Sequence, residues 1–154
     1  MNSKTYAALT SALYVSKLTA QGKTLNTDDQ KLRANGLYDD WSAGVHAVGD
    51  IFNTHSGSEL GDEWEQTWEC FQAYDNAVYP DIKPGESAWY TFHRPLHGNT
   101  PETARPFVPV QGSHDLYKAG EYIIFTDGKR YKCLSDTNFS PADYGQAWEV
   151  ILEE

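Results

Sequence analysis

An internal repeat constrains this chain more than any other feature of its sequence. Residues 118–136 read KAGEYIIFTDGKRYKCLSD, and a looser version precedes them as AVGDIFN at 47–53 and TWECFQAYD at 67–75. Gly49-Asp50-Ile51-Phe52 falls on Gly120-Glu121-Tyr122-Ile123, and Trp68-Glu69-Cys70-Phe71 falls on Tyr131-Lys132-Cys133-Leu134. The overlay closes with Trp89 on Trp148, and an aromatic precedes each Gly-acid pair, Trp41 in one copy and Tyr117 in the other. The spacings differ mainly by insertions, which belong in surface loops because a buried loop would strand its backbone polar groups. The reading is two copies of one small module.

Each copy reads as a β hairpin. In the second, Tyr122 and Ile124 alternate with Ile123 and Phe125, Asp127-Gly128 supplies a tight turn, and Tyr131 and Cys133 return on the next strand. In the first, the hairpin tip is replaced by a polar loop, NTHSGSELGDEWEQT. Between the copies, Pro95, Pro101, Pro106 and Pro109 forbid a helix and mark a linker, with an extended segment available to pad the second module.

The N-terminal part has a different period. Tyr6, Leu9, Leu13 and Ala20 fall near one helical face over residues 4–19, with alanines and Leu18 in support, and Gly22 ends the pattern. Thr27 followed by Asp28, Asp29 and Gln30 has the form of an N-cap and capping box for a second short helix ending near Asn35-Gly36. Short isolated helices are marginal in water, so this segment is expected to pack on a module, another subunit or a larger assembly.

With 154 residues, neither copy can bury a large core. Aromatics make up 14% of the chain, and large rings are expected to replace bulk aliphatic side chains. Trp41, Trp89, Tyr117 and Trp148 are therefore read as core pins, and Cys70 and Cys133 as separately buried, reduced thiols. The formal charge of −10, without a basic cluster, argues against a nucleic-acid partner. No apolar run reaches the roughly 20 residues of a bilayer span, so no membrane insertion is expected. Ser11, Ser16 and Lys17 interrupt anything resembling a secretion signal, so no signal peptide is expected.

The pattern of an aromatic, a Gly-acid pair, a hairpin, aromatic-x-Cys and a closing Trp resembles the small chitin-binding-like carbohydrate-binding modules of families five and twelve. More closely, LYDDWSAGVHAVGDIF, WECFQAYD and GSHDLYKAGEYIIF with YKCLSD resemble tandem modules in phage and prophage structural proteins, which also begin with a short helical segment. The resemblance covers roughly residues 37–151. It implies a mainly β fold: a helical attachment or oligomerisation segment at 1–36, a first antiparallel module at 37–92, a Pro-rich linker at 93–113 and a second module at 114–154. The implied function is non-enzymatic, as a tail, fibre or capsid-associated virion protein recognising a host-surface polysaccharide or another virion protein, without a cofactor. A homo-oligomer formed through the helix is part of that expectation, and a free-standing chitin or cell-wall glycan binder is the alternative.

The chain departs from the family where binding members carry an adjacent aromatic pair after the second hairpin strand. Gln72-Ala73 and Ser135-Asp136 stand at those places. Other rings are then the candidates for sugar contact: Tyr90, Tyr79, Tyr74 and Trp64 in the first copy, and Tyr144 with Phe139 in the second. Tyr90, beside Trp89 on an expected strand, is read as facing the opposite way from it. Sequence support for catalysis or metal is weak. His93 and His97 have the spacing of a helical metal pair, but Pro95 removes the helix, and the acidic loop around Asp62 lacks the ligand alternation of a calcium loop.

Overall fold

The computed structural model describes residues 3–54 and 66–152, with side chains described from Ala8 onward. The fold is mainly β, with short helices at the N-terminus and several small sheets. Helix α1 spans Ser3–Ala20 and α2 spans Asp28–Arg33. Gly22, at φ +71°, lets the chain turn out of α1, while the Lys23 amide donates to the Leu18 carbonyl at 2.9 Å. This left-handed cap needs a residue without a Cβ clash. The expected capping box is present: Thr27 accepts from the Gln30 amide, and Gln30 accepts from the Thr27 amide.

The apolar stripe of α1 is left largely uncovered by the chain itself. Leu9 and Leu13 are 49% and 65% exposed, while Ser11 and Leu18 are buried. Ser11 Oγ accepts the Gly36 amide hydrogen at 2.9 Å, so a polar contact helps fix α1 against the turn after α2. Tyr6 lies outside the residues whose side chains are described.

The strands are β1 Val45–His46, β2 Ile51–Thr54, β3 Gln66–Cys70, β4 Tyr74–Asp75, β5 His93–Pro95, β6 Arg105–Pro106, β7 Tyr122–Ile124, β8 Arg130–Cys133 and β9 Trp148–Ile151. They form sheets ordered β1-β4, β2-β3-β5 and β6-β7-β8-β9. All pairs are antiparallel except β6 with β7. The β7–β8 hairpin closes at Gly128, whose φ is +80°, with the Phe125 amide donating to the Lys129 carbonyl at 3.0 Å.

The residues overlaid in the two stretches make the same bonds. Gly49 and Gly120 both sit at φ +95°, and each donates to the carbonyl of its cysteine at 2.8 Å. Cys70 and Cys133 return amide bonds to the Asp50 and Glu121 carbonyls at 2.8 and 2.7 Å. The same two acidic side chains accept from the Ala47 and Lys118 amides, and the two thiols donate to the Gln72 and Ser135 carbonyls. Each hairpin is thus locked to the turn before it, and the thiol closes the turn after it.

Two parts of the overlay are corrected. Cys70 faces His93 across the sheet, whereas Cys133 faces Trp148, so the residue equivalent to Trp148 is His93 and not Trp89. Trp89 reaches the first core from the preceding 3-10 turn, Trp89–Thr91. The aromatic in the place of Tyr117 is His46: each stands three residues before its glycine, His46 paired with Tyr74 and Tyr117 with Thr137. Matching tryptophan to tryptophan misled because a ring can enter the same core from different backbone positions.

The proline-bearing segment is not a free linker. It supplies β5 to one sheet and β6 to another, and Leu96 is fully buried. Val108 packs on a core of Phe52, Trp68, Cys70, Tyr74, Trp89 and Phe92, while Phe107 and Val110 pack on one of Tyr117, Ile123, Cys133, Ala147 and Trp148. Proline suits such a segment, because an edge strand need not offer every amide to the ladder.

Candidate functional site

The structure divides the expected contact rings. Tyr90 is 38% exposed, Tyr79 46% and Tyr144 46%, and Phe139 beside Tyr144 is 53% exposed. Tyr90 lies in a 3-10 turn and not on a strand, and its ring meets that of buried Trp89 edge to face while staying partly exposed. Tyr144 immediately precedes the corresponding turn, Gly145–Ala147, before β9. The 3-10 turn leading into the last strand of each large sheet therefore carries or abuts an exposed tyrosine. Trp64 lies outside the described residues.

Tyr74 is the exception among the described rings. It is 6% exposed and stacks on Phe92 with ring centroids 4.5 Å apart. Its hydroxyl accepts from Trp41 Nε1 at 3.0 Å and meets His93 Nε2 at 2.7 Å, so it is a core ring with a satisfied polar tip. His46 stacks between Trp41 and Tyr74, at 5.7 and 5.1 Å. Burial, aided by repulsion from His46, pushes the His93 imidazole down to about 4. Trp89, Tyr117 and Trp148 are buried as expected, and Trp41 is half-buried. Cys70 and Cys133 are buried and unbridged.

Half-buried Trp41 also lines a groove of about 270 Å³ with Asp39, Asp40, Ser42, His46, Asp50, Ile51 and Phe52. Asp50 is already committed to the Ala47 amide at 2.8 Å.

A larger cleft, of about 680 Å³, lies where α2 meets β7 and β8. Its wall on the helix side is built by long-range pairs. Arg94 clasps Asp28 through two bonds of 2.8 and 2.7 Å and reaches Glu69 at 3.2 Å, while Lys31 meets Glu69 at 2.6 Å. The His97 amide also donates to Asp28. Burial disfavours the Asp28 carboxylate, but the Arg94 bonds and charge prevail and hold it below the ordinary range. Asp29 is likewise lowered against its burial by Thr103, Arg33 and the Asn99 amide. Gly98 approaches Thr103 so closely that an added Cβ would collide with its carbonyl oxygen and hydroxyl.

Opposite that wall stand Lys118, Gly120, Glu121, Tyr122 and Lys132, with His114 and Leu116 at the side. His97 stacks on Tyr117 with centroids 4.0 Å apart, and its Nδ1 meets Glu121 Oε1 at 3.0 Å. His93 and His97 thus serve different cores and do not converge on a common point. No cluster of three or more metal-ligating side chains occurs among the described residues. Nor is any helix there long and apolar enough to cross a membrane.

Sequence reasoning missed the cleft. The capping box places Asp28 and Asp29 at the head of α2, but Asp28's partner Arg94 is 66 residues away and nothing local announces the pairing. Lys118 and Lys132 belong to the repeat and read there as ordinary strand and turn residues. Comparison with family models, curated proteins and solved structures finds no match to this chain.

Proposed function

We propose that this chain is a non-enzymatic phage or prophage virion protein displaying two tandem carbohydrate-binding-like modules toward a host-surface polysaccharide. The observation that carries the reading is the shared bond set around Gly49–Cys70 and Gly120–Cys133, with an exposed tyrosine at the same turn of each unit. A rigid β frame presenting a ring is well matched to sugar, because a pyranose C–H face lies on a flat aromatic while polar neighbours bond its hydroxyls. Little side-chain entropy is lost when such a ring is already fixed. Tyr90 abuts buried Trp89 edge to face at 5.8 Å, which restrains it in this way.

The outward Leu9 and Leu13 on α1 favour an attached protein over a free-standing polysaccharide binder. Another virion protein is the partner this apolar pair serves, by holding the chain in a particle or joining copies of it. The test is two-part: stoichiometric co-purification of the chain with particles, and retention of the isolated protein on chitin or host cell wall without release of soluble sugar. Retention without particle association turns the assignment to the free-standing binder. Release of soluble sugar contradicts the non-enzymatic reading.

A further inference from the structure

Helix α1 packs on its own chain by one face only. Ser11 and Leu18 are buried, and Ala8, Tyr14 and Val15 beside them are partly covered. On the opposite face Leu9, Leu13, Ser16 and Ala20 are all exposed, at successive spacings of four, three and four residues. That is the alternation of a heptad seam: Leu9 and Ser16 hold one core position, Leu13 and Ala20 the other, and Ser11 and Leu18 stand at the position turned away from the seam. A helix without charge on two opposite faces is suited to being covered on both.

Charge limits what can cover the second face. Helix α1 contains no acidic residue, and nothing charged stands between Lys4 and Lys17, whereas the rest of the chain holds all 22 carboxylate residues. Seating leucine on an acidic surface strips water from charges that gain no partner. The same face of a second α1 carries no such charge. Side-chain size then sets the direction of pairing. In a parallel pair each seam residue meets its own copy, which crowds leucine on leucine and leaves gaps where Ser16 meets Ser16 and Ala20 meets Ala20. In an antiparallel pair Leu9 falls level with Ala20 of the second copy and Leu13 with its Ser16, so every layer sets a large side chain against a small one. Antiparallel helices also oppose their dipoles, which favours the pair.

We propose that α1 pairs antiparallel with α1 of a second copy about a two-fold axis, through the seam of Leu9, Leu13, Ser16 and Ala20. The inference rests on the reading of α1 as the attachment segment and commits that segment to self-association. The seam is short for a coiled coil, so the pair is weak in solution and forms as concentration rises.

Sedimentation equilibrium on the full chain should show a monomer passing to a dimer, and to nothing larger, with increasing concentration. Leu13→Asp should move that transition to at least about tenfold higher concentration, because the carboxylate is desolvated only in the pair. Its melting temperature should hold, since Leu13 is exposed in the single chain. Disulfide capture reads the direction. Chains carrying Leu9→Cys and chains carrying Ala20→Cys should crosslink when mixed under mild oxidation, and each alone much less. Cys70 and Cys133 are buried and donate to backbone carbonyls, so they do not compete. A chain still monomeric at about 1 mM, a dimer indifferent to Leu13→Asp, or Leu9→Cys alone crosslinking as readily as the mixture would each overturn the proposal. A monomer that nevertheless co-purifies with particles overturns the pairing alone and gives the seam to another virion protein. A dimer with this crosslinking pattern that never accompanies particles bears the pairing out and contradicts the virion reading.

Discussion

His93 carries the clearest titration consequence at the scale of single residues. Its ordinary value of 6.5 falls to about 4 because the imidazole is buried, with His46 nearby opposing a second positive charge. Between those values the unfolded chain binds a proton that the folded chain refuses, so stability declines as pH falls from about 6.5 to 4. A shift of this size corresponds to roughly 3 kcal/mol. His93→Gln can keep a bond to the Tyr74 hydroxyl and removes the titration, so its melting temperature should vary less over this window, even from a lower starting value. Equal pH slopes for the two proteins would show that His93 does not govern acid sensitivity. The cysteines supply a second residue-scale test. Burial pushes the Cys133 thiol up to about 11 and raises Cys70 as well, and both thiols donate to backbone carbonyls. Neither should alkylate at pH 8 until the protein is denatured, and intact mass should show two free thiols. The thiols' burial was legible from their repeat positions. The burial of Tyr74 was not, because its hydroxyl is satisfied by Trp41 and His93, residues distant in sequence.

Secondary-structure elements show where local signals end. The Thr27 capping box and the Asp127-Gly128 hairpin were readable because each is a local bond pattern with fixed residue preferences. What α2 packs on was not readable, since it depends on Arg94 arriving from β5. Arg94→Met should destabilise the fold by about 2 kcal/mol in chemical denaturation, less than a fully buried pair, because both side chains retain some solvent contact. Restoring neutrality with Asp28→Asn in the same chain should recover part of that loss, and no recovery would mean that Asp28 is not the partner that matters. For α1 the periodicity identified the helix but not the direction of its apolar stripe, because a stripe can face a partner as readily as the chain's own core. Leu9→Asp with Leu13→Asp should leave the melting temperature within a degree or two, since both leucines are exposed, and should abolish particle incorporation or self-association. A large fall in melting temperature would instead place those leucines inside the folded chain.

At the scale of the whole molecule, two aromatic cores share the proline-bearing segment, with Val108 on one and Phe107 on the other. That sharing could not be read from the prolines alone, which mark an extended chain without saying what it pairs with. The two β units are thus joined by a segment that packs on both cores. We propose that the exposed tyrosine rings recognise polysaccharide. The most direct test is retention on host cell-wall polysaccharide of the wild-type chain beside a Tyr79→Ala, Tyr90→Ala, Tyr144→Ala variant, with melting temperatures measured alongside. Wild-type binding should be saturable, and the variant should lose about 1 kcal/mol per ring that contacts sugar, without loss of fold. A folded variant that is retained as tightly as the wild type would contradict this.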